Sequence, residues 1–395
     1  MVTMTRTTAW THGDLLRLSH PKPDSAIRHN LYRYVVDTMT GRDPDRIERM
    51  GPHRRDYQVF PAGEKPPLLP PLVTAYEQVQ TADVNTAVQL IAANDLSWEM
   101  LPDRLVTEPA IWEVLIDKGL PQTALLRQLP RLTRLGLTTG HTGQVITDQL
   151  TNTDKLRQGR IHPINVLVAQ KTYAQGRSTQ GSSTWVPTPQ VTDALDAAFY
   201  GAYGAVEPSG KRRLLALDVS GSMGSPVSGL PISCREACAA LALVSLNTES
   251  DAIVIGFSDG QQTRGGWGWG SGNSVATVLD ITPRRRLDDV CRYTAALNFG
   301  RTDCSLPMIW AQQNGIDVEA IDIYTDNETW FGQIHPHQAL KQYRQKVGHD
   351  VRFSVVSMTA TGTSIADPND PGSMDVAGFD STVPSVLSDF AAGRI

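Results

Sequence analysis

Arg213–Ser222 reads Arg-Leu-Leu-Ala-Leu-Asp-Val-Ser-Gly-Ser. A strand-sized apolar run, Arg213–Leu217, leads straight into Asp218, Ser220 and Ser222, a DxSxS pattern. Three more β-rich runs follow, at Ala252–Phe257, Ala320–Tyr324 and Val351–Ser357. Helical stretches separate them, at Ile232–Leu246, Leu287–Leu297, Leu306–Gln313 and His337–Lys346. Apolar strands that alternate with helices predict a parallel sheet covered on both faces, a doubly wound α/β domain.

Ligands of an open α/β sheet bind beyond the carboxyl ends of its strands. Three segments are expected at that edge: the DxSxS stretch, the loop Gly300-Arg301-Thr302-Asp303 just before a helix, and Tyr324-Thr325-Asp326-Asn327 at the end of a later strand. Together they offer carboxylate and hydroxyl oxygens, the donors of a hard cation such as Mg²⁺ or Mn²⁺. Ser220 and Ser222 suit direct binding, Asp218 and Asp326 binding through water or support from behind, and Thr302 a further hydroxyl contact. An ion with so few protein anions keeps Lewis acidity for an incoming carboxylate or phosphate, so the expectation is a ligand-docking metal. A serine nucleophile would need a histidine base. His335 and His337 read as helix-start residues instead, and no catalytic residue is assigned.

Upstream, residues 10–175 carry apolar residues at three- and four-residue spacing, punctuated by Pro and Gly. Leu125, Leu126, Leu129, Leu132 and Leu135 make one stripe, Leu31, Tyr34 and Val35 another, and Trp112, Leu115 and Ile116 a third. Short helices cannot bury such stripes alone, so helical hairpins stacked as HEAT-like repeats are predicted. Phe60–Pro71 reads as an extended connector, and the Gly-, Ser- and Thr-rich Gly176–Pro189 as the main boundary. The expected domains are residues 1–190, helical, and residues 191–395, α/β.

The 395 residues hold no long apolar run, and the start of the chain lacks the apolar middle of a signal peptide. A cytoplasmic location away from membranes follows as an expectation. Cys234, Cys238, Cys291 and Cys304 form no CxxC pair and read as small buried residues. Residues 1–210 carry 21 basic and 21 acidic side chains, residues 211–395 carry 15 and 20. Bulk charge therefore points to no nucleic acid, and only local clusters can argue for one. Arg127, Arg131 and Arg134 share one helical face if Pro130 leaves the helix intact, and could follow a phosphate backbone. Lys155, Arg157 and Arg160 form a second cluster. Two tryptophans in the glycine-rich Thr263–Ser274 could stack on unpaired bases.

The three-segment oxygen constellation resembles the metal-ion-dependent adhesion site of von Willebrand A domains. The rest of the chain resembles the Ro 60 kDa autoantigen family of TROVE-module proteins, as a shortened relative of bacterial or phage type. The matching stretches are Trp10–His12, Asp14–His20, Thr123–Arg127, Arg160–Pro163, Leu195–Tyr200, Glu207–Arg212, Thr302–Gln312, Tyr324–Trp330 and Gly378–Asp380.

The resemblance implies a non-catalytic protein that binds small structured Y-type RNAs and the ends of defective RNAs, and that works with an exoribonuclease. It also implies RNA contact at His20, whose alternative reading is a helix-end histidine capping a carbonyl. The chain begins inside the family's helical module, so several chains completing one ring, or an open crescent, are expected. The competing reading is a protein-interaction module whose metal docks an acidic partner residue, with no RNA; DNA is not expected.

Overall fold

The computed structural model describes residues 12–40, 68–179, 181–227, 229–258, 275–297, 302–326, 334–359 and 365–395. By their packing these fall into two compact units, Met1–Leu120 with Leu135–Leu137, and Pro121–Arg134 with Thr138–Ile395.

The first unit is helical: α1 (His12–Ser19), α2 (Ala26–Thr40), α3 (Pro71–Val79), α4 (Val84–Ala93) and α5 (Pro109–Asp117). Local chemistry sets these boundaries. Pro71 and Pro109 start helices where a missing N–H costs nothing. Asp83 caps α4 by accepting from the Thr86 N–H at 2.8 Å, a contact worth about 1 kcal/mol. Lys118 Nζ closes the other end of α4, donating to the Ile91 and Asn94 carbonyls at 2.7 and 2.5 Å. The predicted stripe of Trp112, Leu115 and Ile116 is buried, and Trp112 donates its indole N–H to the Val106 carbonyl at 2.9 Å.

The second unit opens with α6 (Gln122–Arg134), α7 (Gly140–Thr151), α8 (Thr153–Gln158), α9 (Pro163–Ala174) and α10 (Pro189–Gly201). Pro130 lies inside α6, yet the helix runs through it. Leu125, Leu126, Leu129 and Leu132 are all buried on this helix, and that burial offsets the backbone hydrogen bond a proline cannot make. The Gly176–Pro189 stretch folds back on α9: Arg177 and Thr184 pair as a β-bridge, and buried Trp185 donates to the Tyr173 carbonyl at 2.8 Å.

Six described strands follow: β1 (Arg213–Asp218), β2 (Ala252–Ser258), β3 (Val275–Val278), β4 (Ala320–Thr325), β5 (Arg352–Ser357) and β6 (Ser373–Ala377), in the order β3-β2-β1-β4-β5-β6. All pair in parallel except β3, which runs antiparallel to β2 at one edge. The sheet is mixed rather than wholly parallel, and β3 pairs only with β2, at the edge. The helices among these strands are α11 (Cys234–Thr248), α12 (Leu287–Ala295), α13 (Leu306–Gln313), α14 (Pro336–Val347) and α15 (Val383–Ala391). Leu214, Ala216, Ile255, Phe257, Ile321, Ile323, Phe353 and Val355 form one buried core with Met308 of α13 and Leu340 and Tyr343 of α14. Leu215 and Leu217 alternate to the other face, and α11 packs on β1, β2 and β4. Cys234, Cys238 and Cys304 are buried and Cys291 half-buried, all as free thiols. Among the described residues no helix is long and apolar enough to cross a membrane.

Candidate metal centre

From β1 the chain passes first to β2 on one side and later to β4 on the other. Strand order therefore reverses between β1 and β4, which opens a crevice at their carboxyl ends. Asp218 is the last residue of β1, and Asp326 follows the last residue of β4. Both are buried, at 2% and 3% exposure.

Asp218 organises the crevice. Its Oδ1 accepts the Ser220 N–H at 2.8 Å, the aspartate turn that starts the loop. Its Oδ2 accepts from the Thr302 hydroxyl at 3.0 Å and the Thr325 hydroxyl at 2.8 Å. The Ser220 and Ser222 hydroxyl oxygens lie 3.1 Å apart, carried by a 3-10 turn over Gly221–Gly224. Ser220 and Thr302 are buried, and Ser222 is half-buried. Asp303 fixes the loop that delivers Thr302, because its Oδ1 accepts the Ser305 N–H and hydroxyl at 2.9 and 2.6 Å ahead of α13. Thr359 donates its hydroxyl to the Asp326 carbonyl. The three sequence-distant segments thus meet at one sheet edge. Thr325 belongs with them and carries no motif of its own, since a threonine ending a strand reads as a β-former. Arg301 and Asn327, quoted with the motif, lie outside the described residues.

Burial, together with the charge of Asp326, pushes the Asp218 carboxyl above its ordinary range. Among the described residues its hydrogen-bond partners are all neutral. Two buried carboxylates held together this way favour a cation between or beside them. The surroundings also select the cation's class. Burial and the nearby aspartates push the Cys234 thiol up to about 11, and those of Cys238 and Cys304 well above the usual thiol range. They remain neutral and poor ligands, which leaves an all-oxygen donor set of two carboxylates and three hydroxyls. No group of three or more His, Cys, Asp or Glu gathers among the described residues, so hydroxyls have to complete any site. That set fits Mg²⁺ or Mn²⁺ and not a soft metal. His335 caps α14, accepting the His337 N–H at 3.4 Å in a capping box with Gln338; this is the helix-start role read from the sequence.

The Ro60 vWA domain profile matches residues 212–391, and the TROVE domain profile matches residues 91–175. The RNA-binding protein RO60 of Caenorhabditis elegans is 37% identical over 412 residues, 98% of this chain. The RNA-binding protein RO60 of Deinococcus radiodurans is 37% identical over 392 residues, again 98% of this chain. The crystal structure of the Deinococcus radiodurans RO (RSR) protein matches with a TM-score of 0.80 at 36% identity, over 100% of this chain and 73% of that one. The chain belongs to the Ro60 family. It spans 61% and 66% of the length of the two RO60 relatives. Its helical region followed by a von Willebrand A-type domain is the Ro60 architecture.

The basic residues singled out in this Ro60-family chain are distributed as follows. Arg127, Arg131 and Arg134 lie on one face of α6, with Arg127 and Arg134 exposed and Arg131 half-buried. Lys155 and Arg157 are exposed on α8, and Arg160 follows it with a left-handed φ of 49°. Arg157 pairs with Asp154 at 3.3 Å, an exposed contact of little energetic weight. His20 belongs to the first unit, exposed just after α1 with φ 42°, and its backbone N–H donates to the Leu16 carbonyl at 3.1 Å. The structure therefore gathers the metal candidates into one crevice, and places the two basic clusters on α6 and on α8 with the residue that follows it. Thr263–Ser274 lies outside the described residues.

Proposed function

We propose that this chain is a non-catalytic RNA-binding protein of the Ro60 family, with Mg²⁺ or Mn²⁺ held in its A-type domain as a docking ion. The observation that carries the reading is 37% identity over 98% of the chain to two proteins named RNA-binding protein RO60. The face of Arg127, Arg131 and Arg134 supports it, because arginines at this spacing, with Arg127 and Arg134 exposed, can contact phosphates without reading sequence. Small structured RNAs of the Y type are the proposed ligands, with His20, Lys155, Arg157 and Arg160 as further contacts. Ends of defective RNAs passed on to an exoribonuclease, and copies of the chain assembling to complete a ring, are the finer parts of the same proposal. When bound, the metal supplies a Lewis-acidic point for an anionic group. Asp218, Ser220, Ser222, Thr302 and Asp326 would hold it, while Thr325 orients Asp218. Absence of catalysis is proposed because His335 is committed to a helix cap rather than to a serine.

Mobility shift with a small structured RNA tests this reading. Binding is expected at low salt, with the logarithm of affinity falling linearly against the logarithm of salt. Changing Arg127, Arg131 and Arg134 together to Gln should make that slope shallower by roughly 2 to 3, close to one for each phosphate no longer neutralised. No shift at about 50 mM salt, where phosphate-driven binding is strong, would contradict RNA binding and favour a metal-docked acidic protein partner.

A further inference from the structure

Two residues at the start of α11 hold the metal-binding turn from behind. The Cys234 N–H donates to the Ser225 carbonyl at 2.9 Å, just past the turn. Arg235 Nη2 donates to the Ser220 carbonyl at 3.3 Å, at its beginning. That carbonyl also accepts the Met223 N–H at 3.4 Å, so one oxygen anchors both the turn and the arginine. The first turn of α11 thus brackets Ser220–Ser225 at both ends.

The next residue, Glu236, ties the same helical turn to the TROVE-matched segment. Its Oε2 accepts the Ser233 N–H and hydroxyl at 3.0 Å each, while the Glu236 N–H donates back to Ser233 Oγ at 3.2 Å. This capping box fixes the direction of the helix start. The other oxygen, Oε1, accepts from Lys171 Nζ of α9 at 2.8 Å. Both side chains of that ion pair are about three-quarters buried, at 25% and 27% exposure. One carboxylate therefore orients the helix that carries Arg235 and grips the last turn of α9. Lys171 meets Glu236, Arg235 meets the Ser220 carbonyl, and the two contacts are joined by the adjacent positions of Arg235 and Glu236 in the first turn of α11.

We propose that Arg235 is a positioning residue for the metal-binding turn, and that the Lys171–Glu236 pair couples that turn to α9. The inference rests on the reading of Asp218, Ser220 and Ser222 as metal ligands. None of the three residues touches the ion; they act by fixing the carbonyl that sets where the two serine hydroxyls stand. Contacts behind a metal ligand tune affinity without entering the coordination sphere, and coupling between sites is reciprocal.

The test is an equilibrium titration of the full chain with Mn²⁺, for wild type, Arg235→Met, Lys171→Met, Glu236→Gln and the Lys171→Met/Glu236→Gln double variant. Gln at 236 keeps one acceptor oxygen for the capping box, while the charge and the second acceptor, the one that meets Lys171 Nζ, are replaced by an NH2 group. Arg235→Met is expected to weaken Mn²⁺ binding about tenfold. Lys171→Met and Glu236→Gln should each weaken it about fivefold, the lower end of ordinary coupling, with the double variant no weaker than either single one. Amide exchange at Lys171–Ala174 should slow on adding Mn²⁺ to wild type but not to Glu236→Gln, a response that a merely structural role would not produce. Variants that melt like wild type without metal and bind Mn²⁺ with wild-type affinity would overturn the coupling. A wild type that binds no Mn²⁺ would instead overturn the metal reading on which it rests.

Discussion

Arg213→Ala is expected to destabilise the sheet-bearing unit by about 3–5 kcal/mol, measured by urea unfolding at pH 7. Arg213 opens β1 with its side chain 3% exposed. Its Nε and Nη2 both donate to Asp322 Oδ2, at 2.9 and 2.6 Å, and its Nη1 donates to Glu249 Oε1 at 2.9 Å. Burial alone would weaken the guanidinium's hold on its proton, but the charge of Asp322 and the hydrogen bonds raise it further above its ordinary value. The triad joins the start of β1, the middle of β4 and the residue after α11, at the opposite end of β1 from Asp218. Glu249 further accepts the Ser209 and Gly210 N–H groups at 2.8 and 3.1 Å. Removing the cation strands two buried carboxylates, and that penalty exceeds the worth of the hydrogen bonds themselves. Replacing the pair, as Arg213→Met with Asp322→Leu, should cost clearly less than Arg213→Ala alone, because no unpaired charge is left at Asp322. A single variant within about 1 kcal/mol of wild type, the scale of an exposed ion pair, would show the triad to be solvated.

Acid should undo the start of α9 through His162. This residue is 7% exposed and caps the helix, its Nδ1 accepting the Ile164 N–H at 3.1 Å. Nδ1 can accept only in the neutral ring, and Nε2 is buried with no hydrogen-bond partner among the described residues. Burial accordingly pulls the imidazole down from 6.5 to about 4. The folded value lies below the unfolded one, so the folded state excludes the proton. Its full contribution is present above pH 6.5 and is lost as pH falls toward 4. The gap corresponds to about 3 kcal/mol. His162→Asn keeps a capping acceptor and removes the titration. Unfolding free energies measured from pH 7 down to pH 4 should therefore fall more steeply for wild type than for this variant. Parallel curves would mean that His162 is hydrated in the folded chain.

Legibility in the sequence followed burial. The runs at β1, β2, β4 and β5 are apolar, and they stand within a residue or so of their predicted places because both faces of a central strand are covered. β3 has no counterpart among the predicted runs: Val275–Val278 is four residues long, and Val278 is 58% exposed at the sheet edge. β6 escaped for a related reason, since Ser373–Ala377 mixes half-buried and exposed positions and includes Asp375. Edge strands bury too little to need a distinctive pattern. Pro130 left the course of α6 open, and only the packing of its leucines decides it. In the crevice, Asp218, Ser220 and Ser222 stood out because strand, turn and helix followed in order. Thr325 did not, since its hydroxyl is turned to Asp218 by the register of β1 against β4, which pairs Leu217 with Tyr324. Arg235 and Lys171 have no motif at all; their role depends on side chains meeting 65 positions apart, as Lys171 and Glu236 do.

The proposed docking ion requires Asp218, Ser220, Ser222, Thr302 and Asp326 to grip one cation. Mn²⁺ titration of wild type beside the Ser220→Ala/Ser222→Ala double variant, with folding of both checked by circular dichroism, tests it most directly. One ion per chain is predicted for wild type and none for the folded double variant. Stoichiometric Mn²⁺ retained by that variant would put the ion elsewhere and contradict the assignment.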